Sequence, residues 1–234
     1  MIKVLGCIQA RMGSRRLPGK VLKKISGKSL IVHIIERLRA CKTIDRIVLA
    51  TSKKEEDDLL EKVACKNGIE CVRGSEQNVL KRFYDVVCLY WPHHIVRICA
   101  DSPLIDPLEI DRIVRHHIRR DADYSFNHIP EMNNSYPDGV GAEIFKSNVI
   151  ANIIRQKTTK AEQEHINEYI WNHLDRFRIE TIAAPKSIAY PEYRFEVNTE
   201  DDLKFIRKIY NHLYEGKAFN TRSVIEYLKS QSVQ

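Results

Sequence analysis

The sequence predicts an α/β protein whose central sheet is mostly parallel, with helices on both faces. Short apolar runs alternate four times with longer amphipathic runs over the first half of the chain. The first of these runs, Ile2–Gln9, is almost continuously apolar, which is typical of a strand buried on both faces. An alternation of strand and helix predicts a parallel sheet with right-handed crossover helices.

The first half of the chain contains every element of that alternation. The predicted strands are Ile2–Gln9, Arg46–Ala50, Ile69–Arg73, His94–Ala100 and Tyr124–Asn127. The predicted helices are Ser29–Cys41, Lys54–Asn67, Asn78–Tyr90 and Pro107–Arg120. Gly68 is placed to end the second helix, and Pro107 fits the first turn of the last. Asp57 and Asp58 are expected on the solvent side of the second helix.

The second half of the chain is less regular and begins with a polar loop over Asn127–Asp138. Beyond it we predict helices over Asn148–Gln156, Ala161–Leu174, Glu200–Tyr214 and Arg222–Lys229. We predict strands over Val140–Phe145, Phe177–Ala183 and Tyr193–Val197, the last two as antiparallel additions to the sheet. No linker divides the sequence, so residues 1–234 are expected to form a single domain.

Composition excludes several classes of protein. The apolar fraction of 43% argues against disorder, and no apolar run approaches the roughly 20 residues of a membrane helix. The chain carries 38 Lys and Arg residues against 31 Asp and Glu, a formal charge of +7. That excess is compatible with nucleic acid, with a small polyanionic ligand, or with an ordinary charged surface.

The cysteines and the first residues indicate the compartment. The cysteines lack C-x-x-C spacing and most lie in apolar stretches; they are Cys7, Cys41, Cys65, Cys71, Cys88 and Cys99. We expect buried free thiols in a reducing compartment rather than disulfides or a zinc site. The first residues show no signal-peptide pattern, so the protein is expected in the cytoplasm.

The segment Gln9–Lys20 is the first candidate site. It leaves the first strand and holds two glycines, a serine and four cationic residues. Glycines let backbone N–H groups approach a ligand, and such donors beside Arg and Lys form a phosphate-binding nest. Ligands of a parallel sheet bind beyond the carboxyl ends of its strands. The position therefore favours phosphate binding, although the segment matches neither the P-loop nor the dinucleotide-binding pattern.

The second candidate site follows the fourth strand. Asp101 falls where that strand ends, and a carboxylate there can hold Mg²⁺, which prefers oxygen ligands and substrate phosphates. A turn-capping role for Asp101 stays open at this point. Asp106 precedes Pro107 and is expected to cap the following helix.

The two segments Ile8–Leu22 and Ala100–Pro107 together resemble the cytidylyltransferases that activate acidic sugars. Those enzymes include 3-deoxy-manno-octulosonate cytidylyltransferase and acylneuraminate cytidylyltransferase. Within the family the chain is similar to the spore-coat polysaccharide biosynthesis (SpsF) group. Further matching segments are Ile47–Ser52, Arg73–Glu76, Tyr136–Gly139, Glu164-His165 and Val197–Leu203. The resemblance covers nearly the whole chain, and Gln9–Lys20 is its most specific motif.

The resemblance implies a nucleotide-diphospho-sugar transferase (GT-A-like) fold with added antiparallel strands. It implies that CMP is transferred from CTP to an acidic sugar or a phosphonate-like acceptor, with Mg²⁺ as cofactor and release of pyrophosphate. Residues 1–127, approximately, would bind the nucleotide, and residues 128–234 would bind the acceptor and form a homodimer. Neither nucleic acid nor a membrane is expected as a partner.

Carried over by position, the resemblance also implies residue roles. The catalytic set is Arg11, Arg16, Lys20 and Asp101. The nucleotide-binding set is Ala10, Arg11, Gly13, Ser14, Arg16, Lys20, Ala50, Thr51, Ser52, Arg73, Gly74, Ser75 and Ala100. The acceptor-binding set is Asp138, Glu143, Glu164 and His165, of which the last two could instead lie at a subunit interface. The Mg²⁺ ligands are Asp101 and Asn198.

Two positions depart from the family pattern. Where the strand before the last long helix usually ends in Asp, a second Mg²⁺ ligand, this chain has Asn198. Where family members often have another Asp, it has Gly141. The candidate substitutes are Asp138, Glu143, Glu196 and Asp202, although Asp202 is expected to face solvent or cap the helix.

Other functions stay open from the sequence. One is a sugar-1-phosphate nucleotidyltransferase that uses another nucleoside triphosphate. Another is a nucleotide-binding protein without turnover, which the two departures motivate. Nucleic-acid binding would need basic residues along an exposed element with aromatic partners, whereas the basic cluster is confined to one loop.

Overall fold

The computed structural model describes residues 2–128 and 134–232. Its strands are β1 (Val4–Gln9), β2 (Lys24–Ile25), β3 (Lys28–Ser29), β4 (Arg46–Ser52), β5 (Glu70–Gly74), β6 (His94–Cys99), β7 (Tyr124–Phe126), β8 (Glu143–Lys146) and β9 (Ile179–Thr181). Its α-helices are α1 (Leu30–Arg39), α2 (Asp58–Lys66), α3 (Val79–Tyr90), α4 (Pro107–Arg120), α5 (Ser147–Ile153), α6 (Lys160–Glu164), α7 (Glu168–Trp171), α8 (Glu200–Leu213) and α9 (Thr221–Ser232).

The main sheet has the order β5-β4-β1-β6-β8-β7-β9 over the described residues. The first four strands in that order are parallel, and β1 lies between β4 and β6. β8 is inserted antiparallel between β6 and β7. The predicted class, a mostly parallel sheet with an antiparallel addition, is confirmed, and the loops after β4, β1 and β6 meet at one edge.

Helices cover both faces of this sheet. Side chains of β1 alternate, so Val4 and Ile8 join one apolar cluster while Leu5 and Cys7 join the other. The first cluster includes residues of α1, α2, α4, α8 and α9, and the second includes residues of α3, α5 and α7. The prediction from the nearly continuous apolar pattern of Ile2–Gln9, that this strand is buried on both faces, is therefore confirmed.

Two predicted elements in the second half differ from the structure in direction or continuity. β9 is parallel to β7, not antiparallel. The predicted helix Ala161–Leu174 is interrupted after α6, because His165 is extended (φ −114°, ψ 98°). That interruption ends α6 above the edge where the loops meet.

Within residues 2–128 and 134–232, the segment 193–197 forms no ladder and a single bridge, between Asp138 and Arg194. Its backbone instead bonds to two loops: Phe195 N–H donates to the Asp138 carbonyl at 2.9 Å, and Val197 N–H donates to the Asp101 carbonyl at 2.7 Å. The strand prediction for this segment is therefore wrong. Much of the predicted loop Asn127–Asp138 lies outside the described residues.

The cysteines are all free. Cys7 and Cys41 are buried, but Cys65 is exposed on the outer side of α2, so the prediction of buried thiols fails there. Across the described part of the chain, no helix is both long enough and apolar enough to cross a membrane.

A histidine chain links the sheet to α4. His94 Nδ1 lies 3.1 Å from His117 Nε2, and His117 Nδ1 lies 2.8 Å from the Ser125 hydroxyl. Burial, followed by neighbouring positive charge, lowers the pKa of His94 to about 4 and that of His117 to about 3. Both rings are therefore neutral in the folded protein at neutral pH.

We predict that this pair makes stability sensitive to mild acid. The unfolded histidines titrate near 6.5, so below that pH the unfolded chain binds more protons than the folded one. The free energy of unfolding should fall by about 1.4 kcal/mol per pH unit for each histidine involved as pH drops from about 6 towards 4. Urea unfolding across this range measures the slope.

The comparison is His94→Gln against His212→Gln, since His212 is an exposed histidine on α8. His94→Gln should flatten the profile, whereas His212→Gln should keep it. A wild-type profile that is level between pH 6 and 5 would contradict the prediction.

Candidate active site

The chain after β1 folds back on itself at the carboxyl edge of the sheet. The Met12 carbonyl accepts hydrogen bonds from Ser14 N–H at 2.8 Å and from Gly19 N–H at 3.1 Å. A single 3₁₀ turn, Lys20–Leu22, follows. We call residues 10–20 the basic loop. Its three arginines, Arg11, Arg15 and Arg16, are exposed, so they are available to a ligand while the backbone is fixed.

Asp57 supports the basic loop from the neighbouring loop. This carboxylate is 1% exposed; it accepts Met12 N–H at 2.7 Å, Ser52 N–H at 3.1 Å and the Ser52 hydroxyl. The expectation that Asp57 faces solvent is wrong, while its neighbour Asp58 is half-exposed and pairs with Arg73. Asp57 thereby couples the loops that follow β1 and β4.

Lys20 lies between the two residues expected to bind Mg²⁺. Its Nζ is 2.8 Å from Asp101 Oδ2 and 3.0 Å from Asn198 Oδ1. The Lys20 side chain is 11% exposed and that of Asp101 is 24% exposed. The structure therefore brings Lys20, Asp101 and Asn198 together from three distant parts of the chain. The positively charged Lys20 ammonium thus occupies the space between the two predicted Mg²⁺ ligands.

These residues fit a divalent cation in combination with a substrate. Asp101 Oδ1 is buried and has no hydrogen-bond partner among the described residues, so one carboxylate oxygen remains available as a ligand. Among the described residues no group of three or more His, Cys, Asp or Glu side chains is arranged to hold a metal. Mg²⁺ commonly uses one or two protein oxygens and takes the rest from water and substrate phosphates, so the incomplete set is chemically suitable.

A cavity of about 900 Å³ opens above this group. Predicted site residues that line it are Ala10, Arg11, Gly13, Ser14, Arg16, Lys20, Ala100, Asp101, Asn198, Glu164 and His165. The lining cations Arg11, Arg15, Arg16, Lys20, Arg82 and Lys160 outnumber the lining carboxylates Glu76, Asp101 and Glu164. The volume is that of a typical ligand site, and the charge balance favours a polyanion.

The residues expected near the base and ribose do not line this cavity. They are Ala50, Thr51, Ser52, Arg73, Gly74 and Ser75. Thr51 and Ser52 are fully buried. Arg73 donates to the carbonyls of Ser52 at 3.0 Å and Lys54 at 2.7 Å, and the Ser75 hydroxyl accepts Asn78 N–H. In this structure these groups brace the loops beside the cavity, and their nucleotide contacts stay a prediction.

Two of the predicted acceptor residues close the cavity from above. Glu164 and His165 end α6, and Glu164 Oε1 lies 3.8 Å from a terminal nitrogen of Arg11. Both side chains of that pair are about half-exposed, so the contact is a weak link between α6 and the basic loop.

The other two predicted acceptor residues, Glu143 and Asp138, do not line the cavity. Glu143 is 2% exposed, forms an ion pair with Arg97, and accepts the Tyr124 hydroxyl at 2.6 Å. Burial opposes ionisation, but the Arg97 guanidinium holds the pKa of Glu143 below its ordinary value. Arg97 also donates to Gln9 Oε1 at 2.8 Å, so Glu143 acts on the cavity wall through Arg97 and Gln9. Asp138 bonds through its backbone to the segment 193–195.

Gly141 has no room for a side chain. A Cβ at this position would lie 2.4 Å from Asn127 Oδ1 and 2.5 Å from the Asn127 carbonyl oxygen. Asn127 is fully buried, and its Oδ1 accepts Ala142 N–H at 2.9 Å. The absent side chain is therefore a consequence of how closely the two backbones pack.

Among the candidate substitutes, the side chain of Glu196 contacts the side chain of a predicted Mg²⁺ ligand, Asn198. Asn198 Nδ2 donates to Glu196 Oε2 at 3.2 Å. Burial, reinforced by the carboxylates of Asp101 and Asp138, raises the pKa of Glu196 to about 7. Asp202, in contrast, accepts the N–H groups of Asn198 and Thr199 as the cap of α8, as expected.

Some lining residues escape the sequence analysis. They are Gln77, Arg82, Lys160 and Gln163, whereas Gln9 and Glu76 belonged to the segments Gln9–Lys20 and Arg73–Glu76 without a role of their own. Arg82 is 1% exposed; it donates to the Ser75 carbonyl at 3.2 Å, and its Nε has no partner. The sequence does carry a signal for Arg82, because this charged residue lies on the side of α3 that is otherwise apolar. Nothing in the sequence places Lys160 and Gln163 over the edge of the sheet.

The fold and the site define a nucleotidyltransferase. A parallel sheet presents a rigid basic loop, and beside it lies a carboxylate with a free oxygen at the mouth of a cationic cavity. The chain belongs to the cytidylyltransferase family, whose sequence model matches residues 5–225.

Individual relatives agree with this assignment. The spore coat polysaccharide biosynthesis protein SpsF of Bacillus subtilis is 34% identical, over 97% of this chain and 95% of that protein. The 3-deoxy-manno-octulosonate cytidylyltransferase of Brucella ovis is 37% identical over 47% of this chain and 45% of its own length. The solved structure of a cytidylyltransferase from Leptospira borgpetersenii superposes with a TM-score of 0.90 at 27% identity, over 100% of this chain and 96% of that one.

The predicted family and the GT-A-like nucleotide-sugar transferase fold are thereby confirmed.

We predict that Asp57 controls the rigidity of the basic loop. Asp57→Ala removes both acceptor oxygens and leaves the amides of Met12 and Ser52 without their acceptor, which should cost about 1–3 kcal/mol in the free energy of unfolding. Hydrogen exchange at Met12 and its neighbours should accelerate, because the amide loses its partner. Urea unfolding and exchange mass spectrometry measure the two effects.

Asp58→Ala is the matched control on the adjacent residue. It removes only a half-exposed ion pair with Arg73 and should change stability by less than about 1 kcal/mol. Equal exchange rates for the basic loop in both variants would contradict a bracing role for Asp57.

Proposed function

We propose that the protein is a Mg²⁺-dependent cytidylyltransferase that transfers CMP from CTP to an acidic sugar, with release of pyrophosphate. The observation that carries the proposal is the Lys20 ammonium held between Asp101 and Asn198 beneath the basic loop. This arrangement concentrates positive charge and one ionised ligand where a triphosphate would enter. Family membership supports cytidine as the base.

The basic loop would bind the triphosphate. Arg11 and Arg16 are exposed and long enough to form bidentate contacts with phosphate oxygens, and Lys20 contributes a point charge at the base of the cavity. Nucleotidyl transfer needs little covalent help from a protein, so positioning and charge neutralisation supply most of the rate enhancement.

Asp101 Oδ1 and Asn198 Oδ1 would hold the metal ion. When bound, Mg²⁺ neutralises charge on the triphosphate and orients it for displacement. Lys20 contacts Asp101 through the other oxygen, Oδ2, so only its bond to Asn198 Oδ1 would be given up, and its ammonium would turn towards the phosphates. In the transfer, the acceptor hydroxyl oxygen attacks the α-phosphorus in line and forms the new bond. The bond from the α-phosphorus to the oxygen bridging to the β-phosphate breaks, pyrophosphate leaves, and the hydroxyl proton passes to water or to the pyrophosphate.

The acceptor would lie under α6. Lys160, Gln163 and His165 line that part of the cavity and offer hydrogen-bond donors, and the Lys160 ammonium suits a carboxylate. The Brucella relative is named for an acidic eight-carbon sugar, which supports this class of acceptor. Likeness to SpsF over nearly the whole chain supports a place in polysaccharide synthesis.

We predict pyrophosphate release from CTP only in the presence of both Mg²⁺ and an acidic sugar. The protein is incubated with CTP, UTP, ATP or GTP and a panel of acidic sugars, phosphonates and sugar 1-phosphates, and pyrophosphate is measured. Release with UTP or another triphosphate and a sugar 1-phosphate would favour a different nucleotidyltransferase. Thermal stabilisation by CTP without any release would indicate binding without turnover.

We predict that Asp101→Ala abolishes turnover, with a loss of at least about 100-fold in kcat, because it removes the ionised metal ligand. Asn198→Asp should keep or raise the rate, since it restores a charged oxygen. Asp121→Ala is the control, because this carboxylate is 81% exposed and pairs with Lys146 outside the cavity. Normal activity of Asp101→Ala would show that the metal assignment is wrong.

A further inference from the structure

Asn198 is held in one orientation by contacts at both ends of its amide. Its Nδ2 donates to Glu196 Oε2 at 3.2 Å, and its Oδ1 accepts from Lys20 Nζ at 3.0 Å. A primary amide presents a donor at one end and an acceptor at the other. When ionised, the Glu196 carboxylate only accepts, so it keeps Nδ2 on its own side and Oδ1 on the side of Lys20 and Asp101.

Glu196 is itself fixed by the two loops that flank it. The N–H groups of Phe195 and Val197 donate to the carbonyls of Asp138 and Asp101 at 2.9 and 2.7 Å. Gly139 lies so close that a Cβ there would be 3.0 Å from Glu196 N and 3.3 Å from Glu196 Cγ. With φ at +85°, that position also favours glycine. Two hydrogen bonds and close packing against Gly139 therefore hold the backbone that carries Glu196 in place beside Asn198.

With Glu196 ionised, this pair carries the single negative charge that one aspartate would carry. Asn198 supplies an oxygen without negative charge, and Glu196 supplies negative charge through one hydrogen bond. A carboxylate that accepts from the amide N–H₂ strengthens the negative character of the amide oxygen, as carboxylates behind metal-bound histidines strengthen their ligands.

We propose that Glu196 is a positioning residue for the divalent cation, which compensates for asparagine at position 198 by orienting its amide and supplying the missing charge. The inference rests on the proposed Mg²⁺ dependence. It concerns this chain's own pair of residues, and it assigns Glu196 a role through Asn198 rather than contact with the substrate.

The test moves the charge from one residue to the other. Glu196→Gln keeps an oxygen that can accept from Asn198 but removes the charge, and Asn198→Asp adds a charge at the ligand. The double variant Glu196→Gln/Asn198→Asp has the same total charge as the wild type. Glu192→Gln is the matched control, since Glu192 is an exposed glutamate four residues earlier.

The readout is the dissociation constant of Mn²⁺, measured by electron paramagnetic resonance in the presence of α,β-methylene-CTP, which cannot be turned over at that bond. Glu196→Gln should weaken Mn²⁺ binding by about 10-fold or more. The double variant should return to within about threefold of wild type, and Glu192→Gln should match wild type. Thermal unfolding of each variant without metal reports whether the fold is retained.

The outcomes separate this inference from the proposed function. Wild-type binding of Mn²⁺ with no weakening in Glu196→Gln overturns the role of Glu196 and leaves the metal dependence standing. Failure of the double variant to recover, with its thermal stability intact, also overturns the compensation. Failure of the wild type to bind Mn²⁺ with nucleotide overturns the metal in the proposed function, and this inference with it.

Discussion

The ammonium of Lys20 between Asp101 and Asn198 is the interaction on which the site depends. Lys20 belongs to the basic loop, Asp101 to the turn after β6 and Asn198 to the segment before α8. Asp101 lies 81 positions and Asn198 178 positions after Lys20 in the chain. One cation thus joins both halves of the chain at the mouth of the cavity. Since two oxygens converge on a position that already attracts positive charge, the same geometry suits a metal ion that arrives with its phosphates.

The charge of the cavity is supported by buried contacts beneath it. Asp57 holds the basic loop by accepting the Met12 amide, so the arginines project from a fixed backbone. Below the opposite wall, Glu143 neutralises Arg97, which in turn holds Gln9. Neither carboxylate lines the cavity. Each keeps the positive groups in place without cancelling the net attraction for a polyanion.

The two departures from the family pattern each have a neighbour that accounts for them. At Gly141 the backbone of Asn127 fills the space of a side chain, so the position cannot contribute a carboxylate. At Asn198 the neighbouring carboxylate of Glu196 bonds to the amide. A change of residue type at a site is therefore informative only together with the groups that contact it, because charge and volume are shared among neighbours.

The sequence by itself determined the alternating strands and helices, the basic loop after β1 and the acidic residue after β6, because these depend on local periodicity and on the geometry of parallel sheets. It also determined the caps Asp106 and Asp202, which act within a few residues. Only the tertiary structure decided the inward direction of Asp57, the burial of Arg82 in the cavity wall and the break after α6. These depend on contacts between segments far apart in the chain, which no local pattern encodes.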